Sequence, residues 1–233
     1  MDKTLFKRLK KDGLSWPEDK DLARKVQREL ADKVALSPLA KAPALIAGVD
    51  SAFFDDRVIS TACLFSFPSL ELIEETFAIK EVRFPYIPGL LSFREGTSTI
   101  EAIEKLKKKP DLIIFDGQGI AHPRGLGIAS YAGVLLDIPS VGCAKSRLVG
   151  EYDEPGKTKG SWSPLKILDK TVGAVLRTRA NVEPVFVSPG HKIDIKGSLR
   201  LVLACATAYR LPEPTRRADA LSKTLARKHA SRA

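Results

Sequence analysis

The chain is poor in cysteine. Its 233 residues hold three, Cys63, Cys143 and Cys205, each inside an apolar run. The number is odd and no CxxC spacing occurs, so neither a disulfide framework nor a zinc site is indicated, and the thiols read as buried, reduced packing residues. Long hydrophobic runs are also missing: no stretch approaches the ~18 apolar residues of a membrane-spanning helix. The opening MDKTLFKRLKK has basic residues but no apolar segment behind them, unlike a secretory signal. The cytosol is therefore the expected compartment. Acidic residues are in deficit, with 28 Asp and Glu against 38 Lys and Arg and a formal charge of +10. That balance favours a polyanionic partner, nucleic acid first and a membrane surface second, although solubility alone would also account for it. There is no internal repeat and no low-complexity tract. The 44% hydrophobic content is enough for one well-filled α/β domain.

Residues 109–127, KPDLIIFDGQGIAHPRGLG, organise the rest. Leu112 to Phe115 form an apolar run that predicts a fully buried strand, and the strand ends on Asp116. An acid at such a tip is costly unless something positive compensates it. Gly117 and Gly119 then let a bulky partner approach the backbone, and His122 and Arg124 follow. A plain surface turn after a strand is the competing reading.

Ser15 and Glu18 predict a helix start, after which Leu22, Val26, Leu30 and Val34 recur on one stripe. Lys20, Arg24, Lys25, Arg28 and Lys33 occupy its other face, which suits solvent as well as DNA. From Leu45, three strand-like runs joined by short turns predict an antiparallel meander. Asp50 interrupts the first of them and needs a partner, either a metal or a hydrogen bond from a turn. The segment PYIPGLLSFREG, residues 85–96, holds Tyr86 on a stiff loop between prolines. There an aromatic ring either stacks on bases or packs over the core edge. Glu95 falls where the next helix opens, and Lys107, Lys108 and Lys109 are expected in its last turn. The alternation of helix and strand as far as Cys143 predicts parallel pairing. Residues 157–163 read as a polar loop, followed by two further strands, an apolar helix and a last helix opening at Pro212. The tail from Ser222 is basic and is expected to fray, with His229 inert.

A meander whose first strand carries an acid, followed by a parallel strand ending in one, can bring Asp50 and Asp116 to one end of a sheet. Glu95 and Asp219 can reach the same end. Oxygen-only ligands point to a hard cation, Mg²⁺ or Mn²⁺, and a basic surface beside it suggests phosphodiester hydrolysis. His122 and Lys145 would then supply positive charge or a proton near the phosphate.

Together, GVD at Asp50, PYIPGLLSFRE, PDLIIFDGQGIAHPRGLGIAS, VGCAKSRL and RLPEPTRRAD resemble the endonuclease V family. The resemblance runs over roughly residues 15–221. It implies a ribonuclease H-like α/β fold, a mixed sheet of an antiparallel meander plus parallel strands flanked by helices, in one catalytic domain over residues 1–221 with residues 222–233 as tail. It also implies cleavage of the second phosphodiester 3′ to deoxyinosine, leaving 3′-hydroxyl and 5′-phosphate ends. Asp50 and Asp116 would hold Mg²⁺, with Glu95 completing the cluster and Mn²⁺ able to substitute. Tyr86 would be the wedge, and Pro88, Gly89, Leu91, Gly117 and Ile128 would form the lesion pocket. His122 and Lys145 match residues near the scissile phosphate. Asp219 stands where some members have histidine, which leaves its contact with the metal open. The implied partner is deoxyinosine-containing DNA, bound by a monomer without a membrane. Inosine in single-stranded RNA is the alternative substrate, and a non-enzymatic nucleic-acid binder is the third reading.

Overall fold

The computed structural model describes Pro17 and residues 19–231. The chain runs α1 (Lys20–Ala31), β1 (Leu45–Phe54), β2 (Arg57–Ser66), β3 (Leu72–Glu81), α2 (Leu91–Glu104), β4 (Leu112–Phe115), α3 (Ile128–Leu136), β5 (Ser140–Ala144), β6 (Trp162–Ile167), β7 (Lys170–Leu176), β8 (Val185–His191), α4 (Ile195–Cys205) and α5 (Glu213–Ala230). One eight-stranded sheet takes the order β3-β2-β1-β4-β5-β8-β7-β6. β1, β2 and β3 form the antiparallel meander, and β4 lies parallel to both β1 and β5. This is the mixed sheet expected from the sequence.

Alternation along the strands builds two cores. Ala47, Val49, Ile113 and Phe115 face α1, α2 and α3, packing with Leu30, Phe93, Ile100 and Tyr131. Ile46, Leu112, Ile114, Val141 and Cys143 face the other way and meet Leu199 and Val202 of α4. On that second face α5 lies directly on β1. A Cβ on Gly48 would fall 2.0 Å from the Pro214 backbone, so the glycine lets the helix sit this close. All three cysteines are buried and unpaired.

Four expectations need correction. The tail from Ser222 does not fray before Ala230: it continues α5, and Ser222 is fully buried against the sheet. Lys107, Lys108 and Lys109 follow α2 rather than closing it, because the helix ends at Glu104 with Lys105 as its cap. Residues 162–163 belong to β6, which pairs with β7 despite Pro164, a residue an edge strand tolerates. His191, which the sequence SPGHKID predicts to follow a turn glycine, instead ends β8 itself. The expected cap pair Ser15 and Glu18 lies outside the described residues. Within them, Asp19 caps α1, accepting from the amides of Asp21 at 2.8 Å and Leu22 at 2.9 Å. Among the described residues, no helix is long and apolar enough to cross a membrane.

Candidate active site

The register that builds the sheet also builds the site. Beside β4, Ile46 lies next to Leu112, Gly48 next to Ile114 and Val49 next to Phe115. One residue further, Asp50 comes level with Asp116, whose amide donates to the Val49 carbonyl at 3.1 Å. Asp50 continues the series Ile46, Gly48, and Asp116 continues Leu112, Ile114, so both carboxylates leave the sheet on the face that carries α5. Lys145 follows Val141 and Cys143 on that same face. The α5 helix supplies Asp219 from its second turn and Ser222 from its third.

These groups meet. The Lys145 ammonium donates to Asp116 at 2.5 Å and to Asp219 at 3.0 Å. Lys223 donates to both oxygens of Asp219, at 2.8 and 2.7 Å. The Ser222 hydroxyl donates to Asp50 at 2.9 Å. One carboxylate oxygen each from Asp50, Asp116 and Asp219 lie within 4.8 Å of one another, a donor set able to hold a metal ion. All three are oxygen donors, which fits a hard cation and not a thiophilic one. Glu95, which the sequence placed in the cluster, stands behind this set. It comes from α2 on the opposite face of the sheet and shares a cleft of about 240 Å³ with Asp50 and Asp116. Asp219, the residue the sequence left open, is the one that joins Asp50 of β1 and Asp116 at the tip of β4.

The electrostatics mark the cluster as a place that awaits positive charge. Burial, then the neighbouring Asp116 charge, push Asp50 up to about 7, against the bond from Ser222. Burial and then Asp50 push buried Glu95 up to about 8. Burial also works against the charges of Lys145 and Asp219. The bonds to Asp116 and Asp219 nevertheless hold the lysine above its ordinary value, and those from Lys223 and Lys145 hold Asp219 below its own.

A pH dependence follows from these shifts. Between about pH 4 and 8 the folded chain without cation binds more protons at Asp50 and Glu95 than the unfolded chain does, so these groups cost stability as pH rises through that window. A divalent cation must displace those protons. Its affinity is therefore expected to rise from pH 6 to pH 8, by up to roughly tenfold per unit for each proton released. Calorimetric Mn²⁺ titrations across that range would show it; affinity independent of pH would mean that these carboxyls do not meet the ion.

A second cleft, of about 360 Å³, shares Asp116, Leu91 and Ile128 with the first but not Glu95. Tyr86, Pro88, Gly89, Leu91, Gly117, Ile128 and Lys145 all line it, so the residues expected around the lesion are brought together. Its size suits a small-molecule pocket. Tyr86 is 69% exposed, which excludes packing over the core edge. Gly117 is needed here, because a Cβ on it would lie 2.7 Å from Ile128. Gly119 plays a different part from the one expected: a Cβ there would meet the Pro189 carbonyl at 2.1 Å, so it serves strand packing rather than room for a base.

His122 also departs from expectation. Its Nδ1 accepts from the Arg124 amide at 3.1 Å, which puts the ring proton on Nε2, 3.0 Å from the Gly89 carbonyl. Burial, then Arg124, lower its pKa to about 4 in spite of that bond. A neutral ring with both nitrogens engaged positions a loop, and the proton-relay reading has no support from its geometry. Sequence reasoning missed Gln27 altogether. It is fully buried in the α1 stripe and bonds to the same loop, and a lone glutamine among apolar positions gave no signal of that.

Comparison with known proteins shows the family and the fold. A sequence model of the Endonuclease V family matches residues 28–220. A relative from Dictyoglomus turgidum named endonuclease V is 51% identical over 201 residues, 86% of this chain and 88% of the relative. The crystal structure of endonuclease V from Streptomyces avermitilis aligns with a TM-score of 0.88 at 41% identity, covering 92% of this chain and 96% of that one. A Ciona intestinalis endonuclease V, solved in complex with a 24mer DNA containing an inosine followed by a ribo-adenosine, aligns at TM-score 0.77 and 26% identity, over 88% and 96% of the two chains.

Proposed function

The chain belongs to the endonuclease V family, with its ribonuclease H-like fold, and we propose that it is a divalent-cation-dependent DNA repair endonuclease acting at deoxyinosine. In this reading it hydrolyses the second phosphodiester 3′ to the lesion and leaves 3′-hydroxyl and 5′-phosphate ends. The observation that carries the reading is the convergence of Asp50, Asp116 and Asp219 at the edge of the cleft that Tyr86 overhangs. A pure binder gains nothing from gathering like charges this closely.

Asp50, Asp116 and Asp219 would hold Mg²⁺, or Mn²⁺ in its place, with Glu95 acting on the cluster from behind. When bound, the cation stabilises charge on phosphoryl oxygens and lowers the pKa of a water. The remaining work falls to the chain itself. Lys145 lines the cleft beside Asp116, and in this reading its ammonium holds a phosphate oxygen. Tyr86 fills the gap beside an extruded base, and the cleft walls at Gly89, Leu91, Gly117 and Ile128 exclude water around it. Hypoxanthine pairs poorly, so it is extruded at less cost than a normal base. The +10 charge supplies sequence-independent phosphate contacts and a steep salt dependence.

Matched oligonucleotides test the proposal: DNA and RNA, single and double stranded, with and without one inosine, in Mg²⁺, Mn²⁺ or chelator. Cleavage of inosine DNA that stops with chelator is expected. Preferential cutting of single-stranded inosine RNA would transfer the same chemistry to the other substrate, and chelator-resistant cutting would refute the carboxylate assignment. In the same panel, Tyr86→Ala should lower discrimination between inosine and undamaged duplex by roughly 5- to 100-fold, the worth of one stacking contact. Unchanged selectivity would remove Tyr86 from recognition.

A further inference from the structure

The carbonyl oxygen of Gly89, three residues from Tyr86, is the meeting point of three side chains from two distant segments. Gln27 of α1 donates to it at 3.0 Å, Arg124 at 2.7 Å and His122 at 3.0 Å. The three are tied to one another. Arg124 Nε donates to the Gln27 amide oxygen, the Arg124 amide donates to His122, and the second Gln27 hydrogen bond reaches the Leu126 carbonyl at 3.0 Å. A carbonyl has two lone pairs, so three donors, one of them charged, anchor it far beyond what satisfying a buried acceptor requires. The backbone is shaped to present that oxygen. Gly89 has φ +77°, and a Cβ there would lie 2.9 Å from the Arg124 guanidinium.

The loop needs such an anchor. Tyr86 is largely exposed and has little packing of its own, while Pro85 and Pro88 make the segment between them stiff. Phe84, Ile87 and Leu90 pack on the core around this stiff segment, and the bonds at Gly89 add the polar anchor that sets the direction of the exposed ring. We propose that Gln27, acting with Arg124 and His122, is the latch that fixes the direction of Tyr86, and so is a positioning residue for damage discrimination. The selectivity half of this proposal rests on the endonuclease reading above, and the structural half does not. Gln27 lies just before the span that matches the family model, residues 28–220. It therefore belongs to none of the motifs that suggested the function.

Gln27→Met keeps side-chain length and removes every polar contact, so the full-length variant tests the latch. Hydrogen exchange at the Leu90 amide, which donates to the Ile87 carbonyl at 2.9 Å and so closes this loop, is expected to accelerate about tenfold or more while amides in β1 and β4 keep their protection. The ratio of kcat/KM for inosine over undamaged duplex is expected to fall about tenfold, as small displacements of a positioning group do. Unchanged exchange at that amide, or a variant that keeps the full selectivity of a discriminating wild type, overturns the proposal. Protection lost evenly across the sheet overturns it too, since Gln27 would then only fill the core. If Gln27→Met does not fold, Arg124→Lys, which keeps the charge and loses the fork, is read by the same outcomes. Exchange needs no substrate, so a loosened loop in a protein whose wild type ignores inosine would refute the endonuclease reading and leave the latch standing.

Discussion

Asp116→Asn is expected to reduce turnover on an inosine-containing duplex by roughly a thousandfold, the several kcal/mol that a carboxylate-held cation contributes to phosphoryl-transfer chemistry. Duplex affinity should stay within about threefold, because phosphate contacts by the basic surface do not pass through this residue. The substitution is isosteric and replaces one charged oxygen by an amide. Asp116 sits at the tip of β4 with its amide bonded to Val49, so the backbone has no reason to move. The proton balance shifts as well. Asp116 is a leading electrostatic cause of the raised Asp50 value, and its neutralisation should bring Asp50 back toward the ordinary carboxylate range. Single-turnover kinetics and filter binding separate the two effects. Near-normal turnover would refute the cation assignment, and equal losses in binding and turnover would indicate a damaged fold.

Lys145→Met should lower kcat by about 10²- to 10³-fold, the usual cost of removing one donor aimed at developing negative charge. Its effect on cation binding should run the other way. In the structure the ammonium bonds the same Asp116 and Asp219 side chains that a divalent ion would use, so it competes for them. Removing it should tighten Mn²⁺ binding several-fold, roughly the worth of a half-exposed ion pair. A variant that turns over slowly yet binds cation more tightly separates this role from a structural one. Weaker cation binding together with slower turnover would mean that Lys145 holds the aspartates in place.

Much of this was legible before any coordinates. A meander whose first strand carries Asp50, followed by a parallel strand that ends on Asp116, was enough to bring the two acids to one end of a sheet. Lys145 came from the family motif, and only the register showed that it leaves the sheet on their face. Features that depend on small or polar residues were harder to read. The α5 helix was cut short at Ser222 because its buried stripe is Pro214, Ala218, Ser222 and Ala226, small residues four apart that lie flat on β1 and β2. A search for large apolar residues passes over such a stripe, and the basic residues between them dominate the composition. Strand β6 was hidden by Pro164 and Lys166, which an edge position accepts. Gln27 and His122 are buried polar groups whose partner, Gly89, lies 62 and 33 residues away. A hydrogen bond across that separation leaves no local pattern. The family pattern with histidine left Asp219 open, whereas the packing of α5 on Gly48 carries it to the other two acids.

Crystals soaked in Mn²⁺ offer the most direct measurement, with anomalous diffraction recorded at the manganese edge. One strong peak within about 2–2.6 Å of carboxylate oxygens from both Asp50 and Asp116 is the predicted result. A peak elsewhere, or none at these carboxylates at saturating Mn²⁺, would contradict the account.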